Sequence, residues 1–316
     1  MSKQIQEAYI VAATRLPVGK RNGMFRNARP DDMLAHAIRA VVAQAPGVDP
    51  TRIGDVIVGC AIPEAEQGMN VARIGALLAG LPNTVPGITI NRFCSSGLQA
   101  VADAANQIRL GLADVMIAAG TESMTAMSNI MGNKVAANPA WFSDENIGIA
   151  YGMGLTAEKV AQQWGIGREA QDAFVEASYR KACAAIAAGH FKAETSPFTV
   201  RDYKPDLASG EIRQRDRTPT DDEGARPDIS VEKLARLRPV FHARGSVTAG
   251  NASQMSDGAG AVMLVSEKVL KEHNLTPLAR FAGFAVGGVA PEIMGVGPIV
   301  AIPKVLQQAG IRKEDL

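Results

Sequence analysis

Cys94 is the residue best placed to do chemistry. It stands in Asn91-Arg92-Phe93-Cys94-Ser95-Ser96-Gly97, between a strand-like apolar run at residues 85–90 and a helical pattern over 95–110. A cysteine at that junction faces free N–H groups and the positive end of a helix dipole, which favour a thiolate over a thiol. Ser95, Ser96 and Gly97 are small, so a substrate could approach closely. A thiolate presented in this way can accept an acyl group. A free cysteine is also often only a small buried hydrophobe, and position alone leaves both readings open. Cys60, after a strand core with no helix directly behind it, and Cys183, among alanines in a helix, read as packing.

A thiolate that attacks a thioester needs an acid or base partner. The four histidines are His36, His190, His242 and His273, and none lies in a tight Gly-rich turn that would present an imidazole. His190 follows Gly189 at a helix end, where a cation is favoured for capping reasons. Each reads as structural or solvated, which leaves the base unassigned. No two cysteines are spaced like a metal clip, so no metal site is expected.

The elements that must position Cys94 follow from hydrophobic period. Strand patterns at residues 8–13, 56–58, 85–90 and 115–119 alternate with helical patterns at 31–45, 71–78 and 95–110. Asp31 is placed as a helix cap, and Leu98, Val101, Ala105 and Ile108 share the inner face of the third helix. Such alternation predicts parallel βαβ units and an α/β sheet covered on both sides. From about 121 to 245 the chain is more polar, with helices at 156–163 and 168–188 and a charged, Pro- and Gly-rich stretch at 195–228. That region reads as an inserted, loop-rich domain. A strand at 259–265 should rejoin the first sheet.

A weak internal repeat follows. Residues 278–286 read as a strand like the first, and 299–309 as a helix like 31–45. Gly47-Val48-Asp49-Pro50-Thr51-Arg52-Ile53 has the layout of Gly310-Ile311-Arg312-Lys313-Glu314-Asp315-Leu316. Either a second sheet is begun and halts before its second strand, or 299–309 is an ordinary C-terminal helix with a frayed end.

Bulk properties exclude several classes. The 316 residues suggest roughly two domains, and a hydrophobic fraction of 47% is a globular value. Lys+Arg at 33 against Asp+Glu at 32 gives no electrostatic footprint for nucleic acid or an anionic membrane. An odd cysteine count points to a reducing compartment, and no apolar stretch is long enough to span a bilayer. A soluble, cytoplasmic protein is expected.

With these residues in view, the chain resembles the thiolase family. Ile90-Asn91-Arg92-Phe93-Cys94-Ser95-Ser96-Gly97-Leu98-Gln99-Ala100-Val101 is similar to its acyl-enzyme signature, in the form of the degradative 3-ketoacyl-CoA thiolases. Further matches are Thr248-Ala249-Gly250-Asn251-Ala252-Ser253 followed by Ser256-Asp257-Gly258-Ala259, and Met294-Gly295-Val296-Gly297-Pro298. Smaller ones are Gly120-Thr121-Glu122-Ser123-Met124, Met153-Gly154 with Thr156-Ala157-Glu158, and Leu237-Arg238-Pro239. All run in family order.

The resemblance implies two βαβαβαββ halves with a loop domain inserted in the first. That gives an N-terminal half over 1–120, an insertion over 121–245, a return at 246–268, and an incomplete second half from 269 to 316. It implies that Cys94 takes the acyl group and that its backbone N–H helps form an oxyanion hole. Arg226 matches a contact near the coenzyme A nucleotide and Ser253 one near the pantetheine, with Gly250 and Asn251 in the same turn. Met153 and Met294 match residues lining the acyl and pantetheine pocket. Core filling is the commoner role of methionine, a solvated charge the bland role for Arg226, and an Asx-bonded tight turn that for residues 250–253.

Coenzyme A and acyl-CoA are then the substrates, with no tightly bound cofactor, and a homodimer or homotetramer is expected. The implied activity is thiolytic cleavage of a 3-ketoacyl-CoA, or the reverse Claisen condensation, in fatty-acid β-oxidation. Three family motifs are absent before Leu316: an Asn-Glu-Ala-Phe stretch, a Gly-His-Pro turn and a Cys-x-Gly-Gly-Gly turn. From this, the 316 residues alone are expected to be inactive and less stable than a complete chain. An inactive coenzyme A-binding or scaffold fragment is one alternative. A sterol-carrier-like, lipid-binding relative is another, and the retained Cys94 argues against it.

Overall fold

A computed structural model describes residues 5–128 and 137–316. In chain order the strands are β1 (Ala8–Arg15), β2 (Gly19–Lys20), β3 (Ile53–Gly59), β4 (Gly87–Ile90), β5 (Val115–Ser123), β6 (Val200–Pro205), β7 (Ile212–Arg217), β8 (Ser256–Ser266) and β9 (Ala279–Arg280). The α-helices are α1 (Pro30–Ala43), α2 (Val71–Leu78), α3 (Ser96–Arg109), α4 (Met124–Met127), α5 (Met153–Gln163), α6 (Arg168–Ala187), α7 (Val231–Ala235), α8 (Glu267–Glu272) and α9 (Gly297–Ala309).

Two compact units divide the described residues. The first takes 5–128, 190–224 and 254–281. Its main sheet runs β4-β3-β5-β8-β1-β9, with β2 on β8. Side chains alternate faces along each strand, as a period of two requires. Val56 and Val58 of β3, Val115, Ile117 and Ala119 of β5, and Met263 and Val265 of β8 meet Leu34, Ile38 and Val41 of α1 and Val71 and Ala72 of α2. The opposite face, with Ile57, Met116, Ala118 and Leu264, meets Ala100, Ala104, Ala105 and Ile108 of α3. The sheet is covered on both faces, as the sequence suggests.

Several expectations need correction. Only β3–β4 and β3–β5 are parallel; β8 lies antiparallel between β5 and β1, so the sheet is mixed. β1 therefore pairs with a strand some 250 residues downstream and not with the next one in sequence. The strand expected at 278–286 shrinks to the two residues of β9, paired with β1. Asp31 does not cap α1: the N-cap is Arg29, and Asp31 lies in the first turn, where it accepts from Arg29 Nε at 3.0 Å. Leu98 is 63% exposed, at the edge of the α3 stripe in its first turn. The charged stretch at 195–228 is more ordered than a loop, since it forms the β6–β7 hairpin, with cross-strand pairs such as Arg201–Asp216 at 3.0 Å.

The second unit takes residues 137–189, 225–253 and 282–316. It is helical: α5 packs on the 3₁₀ turn Pro291–Val296, and α6 on α7. After α9, Gly310 at φ 66° ends the helix in the left-handed conformation that glycine adopts without cost. A 3₁₀ turn, Lys313–Asp315, follows, as Pro50–Arg52 follows α1. No helix among the described residues is long and apolar enough to cross a membrane.

Candidate functional site

Five residues, 91–95, turn the chain from the end of β4 into α3. Cys94 is exposed within that turn. The residue before it, Phe93, has φ 45°, a left-handed conformation that costs a bulky side chain about 1–3 kcal/mol. Two side chains hold it there. Asn91 Oδ1 accepts from Phe93 N at 2.7 Å, and Asn91 Nδ2 donates to Ala61 O at 2.9 Å. Buried Ser96 accepts from Arg92 N at 2.8 Å and donates to Phe93 O at 2.6 Å. Cys94 thus sits on an over-determined turn at the head of a helix.

Gly59, the last residue of β3, lets that helix start against the sheet. A Cβ there would stand 2.4 Å from the Ser96 carbonyl carbon and 2.5 Å from Gly97 N, both backbone atoms that cannot rotate away. Gly59→Ala is therefore expected to cost about 1–3 kcal/mol, the scale of overpacking. Urea unfolding measures it, and an unchanged midpoint would mean that the helix start yields easily.

The other cysteines differ from Cys94. Cys60 is buried; burial and the nearby charge of Glu122 push its thiol up to about 12. Cys183 is half-buried in α6. His36 bonds Ser196 Oγ at 2.8 Å and stands edge-on to Phe198, and burial, then Arg39, lowers its pKa. His273 lies 3.0 Å from Arg52 and 3.6 Å from Glu272. These contacts fit the structural reading of both rings. Among the described residues no group of three or more His, Cys, Asp or Glu could hold a metal ion.

The remaining residues singled out in the sequence belong to the second unit. Met153 opens α5 and Met294 lies in the 3₁₀ turn packed on it; both are exposed, at 55% and 41%. Arg226 is exposed, with Asp228 3.7 Å away. Ser253 is exposed at the end of the 248–253 turn. At Gly250 a Cβ would stand 2.5 Å from a Leu237 methyl and 2.6 Å from a Leu234 methyl, so a side chain there would have to displace both.

Asn251 is committed inward. Its Oδ1 accepts from Thr248 N at 2.7 Å, and its Nδ2 donates to Asp172 Oδ1 at 3.0 Å and to Ser246 O at 3.1 Å. It reaches three residues back across the turn, not two residues on as an Asx bond would; the forward bonds belong to Thr248 Oγ1, which accepts from Gly250 N at 3.1 Å and Asn251 N at 3.3 Å. Glu158 supports the approach to the turn, accepting from Ser246 N at 2.9 Å and Val247 N at 2.9 Å. Beside it α5 and residues 242–246 line a cleft of about 590 Å³, which includes Lys159, His242 and Arg244. Sequence reasoning gave no role to Asp172 or Glu158. Glu158 had a signal in the Thr156-Ala157-Glu158 match, whereas Asp172 stands in no motif.

Comparison with known proteins bears on this arrangement. The family models for the thiolase N-terminal domain and the thiolase C-terminal domain match residues 8–268 and 275–316. A 3-ketoacyl-CoA thiolase of Bacillus subtilis (strain 168) is 45% identical over 99% of this chain and 79% of its own length. The peroxisomal 3-ketoacyl-CoA thiolase 2 of Arabidopsis thaliana is 42% identical over 98% of this chain, which spans 66% of that relative. Among solved structures, the Bacillus anthracis acetyl-CoA acetyltransferase matches with a TM-score of 0.83 at 37% identity, covering 99% of this chain and 79% of the other. Human mitochondrial 3-ketoacyl-CoA thiolase matches with a TM-score of 0.84 at 35% identity, covering 99% and 79%. A mixed sheet covered on both faces, a cysteine on a strained turn at a helix head, and two family models that together span nearly all of the chain agree: it belongs to the thiolase family.

Proposed function

We propose that the protein is an acyltransferase that cleaves a 3-ketoacyl-CoA with coenzyme A through an acyl-cysteine intermediate. The observation that carries this is the exposed Cys94 on its strained turn at the head of α3. Its thiolate attacks the keto carbon of the substrate. The bond between that carbon and the next breaks toward the thioester, and the resulting carbanion takes a proton to leave as acetyl-CoA. The coenzyme A thiol then gives up its proton, which balances the one taken by the carbanion, and its sulfur attacks acyl-Cys94, releasing the shortened acyl-CoA and returning the thiolate. The reverse sequence is a Claisen condensation. Family models spanning nearly the whole chain weigh against an inactive fragment as the alternative.

In this reading Arg226 meets the nucleotide of coenzyme A, Ser253 the pantetheine, and Met153 and Met294 line the channel for the pantetheine and acyl chain. Gly250 and Asn251 shape the turn that carries Ser253. Coenzyme A is a substrate, and the mechanism calls on no tightly bound cofactor. The protein acts in the cytoplasm as a homo-oligomer.

Arg226→Ala tests the assignment. A contact remote from the reacting atoms gives mainly uniform binding, so the Michaelis constant for coenzyme A should rise about tenfold with turnover little changed. Ser253→Ala should act in the same sense, more weakly. A loss of turnover at unchanged coenzyme A affinity would refute both roles.

A further inference from the structure

Resting on the acyl-transfer reading, we propose that Asn91, braced by Glu122 and Gln67, is a positioning residue that ties the Cys94 turn to the ends of β3 and β5. Asn91 joins two segments. Its oxygen holds the Phe93 N–H inside the turn, while its nitrogen reaches out to Ala61 O, just beyond β3. Ala61 is held from its other side, because its N–H donates to Glu122 Oε2 at 2.7 Å. Glu122 is in β5, so the linkage crosses from one parallel strand to its neighbour.

Gln67 completes the brace. It is fully buried and uses both ends of its amide: Oε1 accepts from Ser123 N at 2.9 Å, and Nε2 donates to Ile62 O at 2.8 Å and to Glu122 Oε1. Glu122 has no cation partner among the described residues, and its two oxygens are divided between Ala61 and Gln67. A carboxylate placed so accepts on both sides, which an amide cannot do. The chain of bonds runs from Gln67 through Glu122, Ala61 and Asn91 to the residue before the nucleophile.

Its consequence is geometric. A left-handed Phe93 persists only where its surroundings over-determine it. The turn is tied at one end to β4, which pairs with β3, and at the other to α3, which starts against Gly59, and the Asx bond shapes the span between. The Ala61 anchor adds a tie within that span and limits how far the Cys94 sulfur can shift. None of these side chains need touch substrate.

Asn91→Asp separates the two functions. Its carboxylate still accepts from Phe93 N, but it cannot donate to Ala61 O. Asn91→Ala loses both bonds. Glu122→Gln offers one oxygen to two donors and must release either Ala61 or Gln67. Acyl transfer from acetyl-CoA to Cys94, followed by intact mass, should slow about tenfold to a hundredfold in all three, the usual scale for ångström misplacement. The Michaelis constant for coenzyme A should move by less than about twofold, since its contacts are elsewhere. Amide hydrogen exchange over residues 92–95 should rise in all three variants, with cooperative unfolding retained.

Parental acylation rates in Asn91→Asp and Glu122→Gln would overturn the proposal and leave only a local Asx turn. If the parent protein itself accepts no acyl group, the acyl-transfer reading fails. The exchange measurement then decides this inference alone: unchanged exchange over 92–95 in Asn91→Asp and Glu122→Gln overturns it, and faster exchange sustains it.

Discussion

Cys94→Ala is expected to abolish acyl-enzyme formation and to lower thiolysis by roughly 10⁴-fold or more, the scale seen when a covalent nucleophile is removed. The side chain is exposed, so the melting temperature should hold. In the unmodified protein, iodoacetamide at neutral pH should label Cys94 first, because it alone of the three cysteines is exposed. Cys60 should resist: it is buried, and its thiol is held near 12 by burial and the Glu122 charge, so almost none is thiolate at pH 7. Cys183, half-buried along α6, should fall between. Equal labelling of all three in the folded protein, or an acyl adduct that survives in Cys94→Ala, would remove the nucleophile from the mechanism.

Much of what places Cys94 was legible in the sequence, because local period encodes it. The α2 boundaries fall at Val71 and Leu78, as the apolar spacing says, and strands β3 and β5 surround the expected cores. The sheet order was not legible. β8 enters between β5 and β1 from far along the chain, and nothing in a short window reports a partner so distant. The second-half strand expected at 278–286 failed for a local reason: Gly283 interrupts its apolar run, and only Ala279–Arg280 finds a neighbour, β1. At the site, Cys94 could be picked out by type and position, whereas the conformation of Phe93 could not. Phenylalanine carries no preference for positive φ, and the cause lies in Asn91 and Ser96 acting through side-chain bonds. The same holds for Asn251. Its motif marks it as a binding residue, but its side chain is engaged on Thr248, Ser246 and Asp172.

Asp172 carries the other large effect, through that engagement. It is 1% exposed on α6, and its two oxygens serve different masters. Oδ2 accepts from Arg168 Nε at 2.7 Å, while Oδ1 accepts from Asn251 Nδ2 at 3.0 Å. Arg168 goes on to donate to Leu237 O at 3.1 Å and to Leu234 O, the carbonyls where α7 ends. One carboxylate therefore joins α6, the end of α7 and the 248–253 turn. Asp172→Ala would leave the guanidinium without its counter-charge and Asn251 without its inner acceptor. Breaking a buried pair by deleting one partner typically costs 3–5 kcal/mol. Arg168 keeps some contact with water and its carbonyl acceptors, which argues for the lower end, about 3 kcal/mol, or a fall of roughly 6–12 °C in melting temperature. Asp172→Asn keeps one acceptor oxygen for two donors and should cost about 1–2 kcal/mol. Because the turn carries Ser253, both variants should also raise the Michaelis constant for coenzyme A, Asp172→Ala the more, while the single-turnover rate of acylation at saturating substrate changes little. Thermal unfolding and thiolysis kinetics on the same preparations separate the two effects. A melting temperature within a degree of the parent in Asp172→Ala would show that the carboxylate does not hold the turn.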